Sequence, residues 1–366
     1  MSGLNSTTAK CLGNKPLRRG NGLDRMLPAK VLKGALLFLT LCFSLTRFVH
    51  SNADFPLGIT WSSVLYTDEG DYAASATRHV LTGQWYLAGD VNKAVYAPVG
   101  HVLHRISFAL FGLGLSSVRI TIVVSFLLLV ATTALLIRRS FGDYAALLTA
   151  LLLTSNYVGF AYSRLATMDL VATFFVVASL YAAGGLKGKS GLPRLLAASF
   201  LLALGMLTKL NAVLAVPLLA FLAWRSGSSL KERILFLIGS GLVIAVLYGG
   251  YRVVTSILFP DDYAGYNLDT VGNIFQTFHD WARNVPRRVF VSVEQLGEGF
   301  VDLSVLLAAL TFVISKRFRR DPLVHLLVGY IVVCVGMLSL TAMNLYVTTF
   351  HCSFLLPGCV QRRPSH

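Results

Sequence analysis

Acidic residues are scarce in this chain: 17 Asp and Glu stand against 32 Lys and Arg in 366 residues. Charge as a whole is scarce. Charged residues make up 13% of the chain and hydrophobic ones 55%, whereas an average soluble domain carries about 25% charge. The deficit excludes a soluble domain and leaves an integral membrane protein. Cys11, Cys42, Cys334, Cys352 and Cys359 are scattered without CxxC or metal-ligand spacing. They read as small apolar or free residues and say little about redox compartment. No short repeat or low-complexity tract is visible. The net charge of +15 does not point to nucleic acid. Most of the cations stand in short clusters between apolar runs, the pattern that sets membrane orientation.

What is present is a series of apolar runs divided by those clusters. Residues 1–30 form a basic N-terminal segment. The run at 31–49 approaches the length of a membrane span. A long basic stretch precedes it and no small-x-small cleavage site follows, so it reads as an uncleaved signal anchor with the N-terminus in the cytoplasm. Further spans are expected at 119–136, 144–161, 170–186, 195–207, 213–224, 234–258, 300–314 and 323–342, with a weak one at 344–359. Residues 101–115 are amphipathic and short for a span, which suits an interfacial or re-entrant helix. On this count the basic clusters at the N-terminus, 138–139, 187–194, 225–233 and 316–320 share one side. The carboxylate-bearing loops 51–117 and 259–299 share the other, in accord with the positive-inside rule. The expected fold is an all-α polytopic membrane protein with about nine to ten transmembrane helices. Its first outer loop is large and carries juxtamembrane helices.

Against this apolar background, Tyr66-Thr67-Asp68-Glu69-Gly70-Asp71-Tyr72-Ala73 concentrates three carboxylates. Thr67 suits a helix N-cap, with Asp68 and Glu69 in the first turn. Tyr72, Ala73, Ala76 and Val80 then share a side at helical spacing. The helix dipole keeps first-turn carboxylates ionised, fit to bind a metal or accept a proton late in a reaction. The same residues also suit a plain surface-helix cap. Beyond other span ends lie Ser163-Arg164 with Asp169, and Thr208-Lys209. Charge at the bilayer is costly unless paired or functional. Here too a plain reading stands, in which Arg164 and Lys209 snorkel to headgroups and Asp169 caps its helix.

These stretches resemble the GT-C membrane glycosyltransferases that use polyprenyl-phosphate sugars, the enzymes related to protein O-mannosyltransferases and the lipid A aminoarabinose transferase. The likeness rests on Asp68-Glu69-Gly70-x-Tyr72-Ala73 with Arg78, Gly83 and Trp85 after it. Ala97-Pro98-Val99-Gly100 with Phe111-Gly112 follows, then Tyr162-Ser163-Arg164 with Asp169, then Leu204-Gly205-x-x-Thr208-Lys209. The four stand in the family's order on one predicted side, and the likeness runs over about 30–345, with 31–345 as the transmembrane domain.

The resemblance implies transfer of a sugar from a polyprenyl-phosphate donor to a lipid, glycan or protein acceptor at the outer face, with inversion. It makes Asp68 the base, with Glu69 beside it in the catalytic motif. Lys93, Arg164, Lys209 and Arg78 become candidates for the donor phosphate. Asp68 and Asp169 become candidates for a divalent metal such as Mg, Mn or Zn. The setting it implies is the lipid bilayer of a bacterial inner membrane, without nucleic acid. Two departures stand out. Tyr96-Ala97 and a single Pro98 replace the family's Lys or His before a Pro-Pro pair, with Lys93 as the expected substitute. Residues 346–366 are atypical, as in a short family member or a truncated or frameshifted one. Two other functions fit the chain less well. A transporter or flippase of a lipid-linked anion would show broken helices in matching halves, and a degenerate relative would keep the motifs without the chemistry.

Overall fold

The structure, a computed structural model, describes residues 29–260 except 50, 52–67, 89, 91, 156, 185–190 and 228. Outside the described residues lie the N-terminal segment to 28, Thr67, most of the loop 259–299, the expected spans beyond it and residues 346–366.

The described residues form helices and no strands: α1 (Ala29–Leu45), α2 (Asp68–Thr82), α3 (Pro98–Phe111), α4 (Leu115–Phe141), α5 (Asp143–Ser155), α6 (Tyr157–Ser163), α7 (Asp169–Ala183), α8 (Gly191–Thr208), α9 (Val216–Ser226), α10 (Leu230–Ile244) and α11 (Gly250–Leu258). Four runs are long and apolar enough to cross a membrane: Ala29–Phe48, Leu115–Arg139, Gly191–Thr208 and Leu230–Leu258. Shorter apolar helices cover Asp143–Ser155, Asp169–Ala183 and Leu210–Ser226. The chain is an integral, multi-pass membrane protein. At 1.5 Å per residue, the 27 residues of α4 reach about 40 Å, beyond the roughly 30 Å of a hydrocarbon core. Arg119 stands near one of its ends and Arg138 and Arg139 at the other. Glycines at φ +75° (Gly83), +82° (Gly112) and +86° (Gly142) stop α2, α3 and α4 in a left-handed conformation that other residues adopt at a cost.

Helix α7 packs along α4 and α8; α5 packs on α4 and α1; α10 closes against α8 and α9. Small residues let these backbones approach, as is usual in membrane bundles. A Cβ at Gly205 would lie 3.3 Å from the Cβ atoms of Ala212 and Phe175. The apolar core around Leu195, Leu202 and Leu219 joins α7 to α10. A second core around Ala76, Ile122, Met168 and Val171 joins α2 and α3 to the starts of α4 and α7.

The sequence suggests one span over 144–161; the structure has helix over Asp143–Ser155 and Tyr157–Ser163, with residue 156 outside the described residues. Fully buried Arg47, at the end of the first span, donates from Nη2 to the Thr154 carbonyl in the last turn of α5 at 2.8 Å. Its guanidinium also stacks over Phe126, 4.3 Å from the ring centre.

The two ends of the bundle differ. At one, Asp143 accepts from Lys33 and Arg138, each at 2.7 Å, and Arg139 donates to the Tyr181 carbonyl. Helices α2 and α3 lie at the other, against the start of α4.

Candidate active site

Helix α2 opens with the acidic motif. Asp68 is its first residue, and the side chain of Asp68 lies outside the described set. Glu69 turns inward and is buried. Arg119, in the second turn of α4 and only 1% exposed, meets it as a fork: Nε to Oε1 at 2.9 Å, Nη2 to Oε2 at 2.7 Å. The Ala166 amide donates to the same Oε1 at 2.6 Å, and Arg119 Nη1 donates to the Ser51 carbonyl at 3.0 Å. A buried ion pair repays its desolvation only when the geometry is good and the remaining lone pairs and protons are satisfied. This one has both. It ties the first turn of α2 to α4, to the chain leaving α1 and to the turn before α7.

One helical turn beyond Asp68, Tyr72 lies between two ammonium groups. Lys93 Nζ is 4.8 Å and Lys209 Nζ 5.8 Å from its ring centre, distances at which a ring face attracts a cation. Each ammonium also has a carboxylate: Lys93 bonds Asp71 at 2.9 Å and Lys209 bonds Asp169 at 2.7 Å. Burial alone would lower the Lys209 ammonium. The neighbouring Asp169 carboxylate and Tyr72 outweigh it and hold the group above its ordinary value, so Lys209 is a cation at neutral pH. Asp169 opens α7 and is itself buried, where the helix dipole favours its charge. Its Oδ1 receives Lys209, while its buried Oδ2 has no hydrogen-bond partner.

Lys93 is held in place from behind. It begins a short 3-10 turn, Lys93–Val95, and the preceding loop wraps around buried Asn92. That amide accepts from the Leu87 backbone and donates to the Leu87 and Asp90 carbonyls. Arg78 completes the wrap, donating to Asn92 Oδ1 at 2.9 Å, to the Trp85 carbonyl at 3.2 Å and to Asp90. Arg164 lies apart, over the Phe160 ring at 5.2 Å. Burial, and next Arg119, lower its guanidinium.

Of the residues singled out by sequence, then, Lys93, Lys209 and Asp169 gather around Tyr72 on the helix that Asp68 begins. Glu69 and Arg78 are engaged in holding the surrounding backbone. Among the described residues, no group of three or more His, Cys, Asp or Glu side chains could hold a metal ion. Of the two candidate metal ligands, Asp169 places one oxygen against the Lys209 ammonium, and the Asp68 side chain lies outside the described set.

Arg119 and Asn92 escape the sequence reading. A lone arginine at the head of an apolar run is a signal for Arg119; nothing in the sequence marks Asn92. His101 and His104 also escape it. Both are buried on the inner side of α3, and neither ring nitrogen of either has a hydrogen-bond partner. Burial, with the charges of Lys93 and Arg78 adding to it, pushes His101 down to about 4. Burial and His101 push His104 down to about 3.

Residues 95–249 match the family model of dolichyl-phosphate-mannose-protein mannosyltransferases. Among solved structures, the chain is similar to ArnT from Cupriavidus metallidurans bound to undecaprenyl phosphate. The TM-score is 0.50 at 19% identity, over 84% of this chain and 59% of that one. The chain therefore spans less than two thirds of that protein's length. A search of curated proteins finds no match. The structural likeness shows a shared GT-C-like fold, and the mannosyltransferase family model matches one part of this chain.

Proposed function

We propose that this chain is a membrane glycosyltransferase that moves a sugar from a polyprenyl-phosphate donor to a hydroxyl acceptor at the outer face of the membrane. The observation that carries the reading is the cluster around Tyr72. Two ammonium groups and two carboxylates converge there, at the end of the bundle away from Arg138 and Arg139. A lipid-linked phosphate needs such cations at a membrane boundary, and an attacking hydroxyl needs a carboxylate close to them.

Asp68 is the proposed base. It takes the proton of the acceptor hydroxyl as that oxygen attacks the anomeric carbon. The bond from that carbon to the phosphate oxygen breaks, and polyprenyl phosphate leaves with the electron pair. Lys93 and Lys209 stabilise the charge on the leaving phosphate, each releasing part of its present ion pair to do so. Asp169 orients Lys209, and its second oxygen is open to a substrate hydroxyl. Glu69 acts through Arg119 and Ala166, fixing the start of α2 against the turn that precedes Asp169. Arg78 sets the Lys93 turn, and Arg164 adds positive charge at the rim. Holding donor and acceptor in line supplies much of the acceleration in such a reaction. The N-terminus is then cytoplasmic, and the basic end of the bundle faces the cytoplasm.

The test is transfer in membranes expressing the chain, with labelled polyprenyl-phosphate hexose and pentose donors. Label moved by the wild type and lost in Asp68→Asn supports the reading, and the labelled product names the acceptor. Equal transfer by both proteins overturns the role of Asp68.

A further inference from the structure

The last described span is jointed. Between α10 and α11 the helix widens into a π-turn, Ala245–Gly249. Such turns bend helices and recur at functional sites. Gly249 and Gly250 occupy the joint, and a Cβ on either would meet nothing within 4 Å. Packing therefore does not require glycine there. Below the joint, α10 is seated on α8 and α9. Above it, α11 exposes Val253, Val254, Ile257 and Leu258 and reaches the outer loop. The Tyr251 hydroxyl donates to the Ala94 carbonyl at 2.9 Å. Phe259, just past α11, stacks on Tyr86 at 4.5 Å between ring centres.

Ala94 is the middle residue of the turn that begins with Lys93. One side chain from a distant span thus holds the carbonyl next to a site cation. Asn92 and Arg78 hold the same turn from the other direction. Tyr251 is remote from the acidic motif in sequence and bears no charge, so composition does not mark it.

We propose that Tyr251 is a positioning residue for Lys93, and that the π-turn lets α11 carry the Lys93 turn toward or away from the donor phosphate. This rests on the glycosyltransferase reading for the ligand, but not for the mechanical link. A phenylalanine at this position keeps the ring and loses the hydrogen bond, so Lys93 samples more positions and meets the phosphate less often.

Two measurements on Tyr251→Phe test the proposal. In the transfer assay, KM for the donor should rise roughly 3- to 10-fold, the range of one lost hydrogen bond, with kcat little changed. A merely structural defect lowers kcat and folded yield together. The second readout needs no activity. Spin labels on Leu87→Cys and Ile257→Cys, in a chain freed of its native cysteines and placed in nanodiscs, report the distance from the loop to α11. One narrow distance with Tyr251, broadened by Tyr251→Phe, is expected. An unchanged distribution overturns the link, and a broadened distribution with unchanged KM overturns the positioning role. Broadening in a protein that transfers no sugar with either residue keeps the link and removes the glycosyltransferase reading.

Discussion

Two carboxylates, one at each end of the bundle, face arginine and teach different lessons. Asp143 meets Lys33 and Arg138 where these side chains are 38 to 61% exposed. Glu69 meets Arg119 where the two are 9% and 1% exposed. Water already solvates the first group of charges, and solvated pairs add little. The second pair is cut off from water, so each partner depends on the other. An uncompensated buried charge costs about 3–5 kcal/mol. The exposed charges are held by water, whereas the buried pair fixes the start of α2 against α4 and the turn before α7.

The strongest way to break this contrast is to compare activity at the two ends. Asp68→Asn should lower transfer about 10²- to 10⁴-fold, the usual contribution of a positioned base, while Asp143→Asn leaves the rate within about twofold. Comparable losses would show that the end with α2 and α3 is not special. Stability comes next. Arg119→Met should cost about 3–5 kcal/mol by leaving Glu69 buried without its partner, read as a lowered unfolding midpoint in detergent. Combining it with Glu69→Leu should restore much of the loss; a double variant worse than the single one would contradict the account.

Acid should act on the end of the bundle that carries α2 and α3 through the buried histidines. Unfolded histidine titrates near about 6.5, whereas burial holds His101 at about 4 and His104 at about 3. Between those values and 6.5 the unfolded chain binds more protons, so stability falls as pH falls. The slope is at most about 1.4 kcal/mol per pH unit for each group. Unfolding midpoints from pH 7 to 5 should drop in the wild type and drop less in His104→Phe. The smallest effect expected is at the exposed end, where Asp143→Asn should leave the unfolding midpoint almost unchanged.

Apolar runs of membrane length were legible because lipid leaves a helix few alternatives, and the helices α4, α7, α8 and α10–α11 fall where the sequence suggests. The hydrogen bond from Arg47 to the Thr154 carbonyl was not, since the two residues lie 107 positions apart. Asp169 and Lys209 could be picked out as charges in costly places. Their mutual pairing, and the place of Tyr72 between Lys93 and Lys209, arise only when four separate segments pack together. Arg119 shows the same limit: its charge is visible in the sequence, but its partner is fifty residues away. Asn92 and Tyr251 are uncharged and act through backbone carbonyls and amides, which leave no trace in residue type.

The central claim is that Lys93 and Lys209 form the phosphate-binding pair. It is tested most directly by the affinity of undecaprenyl phosphate for the purified chain in nanodiscs. The account predicts a Kd raised roughly 10- to 100-fold in Lys93→Met and in Lys209→Met, the range of one charge-assisted contact, with Arg138→Met unchanged. Equal affinity in all four proteins, or a loss confined to Arg138→Met, would contradict it.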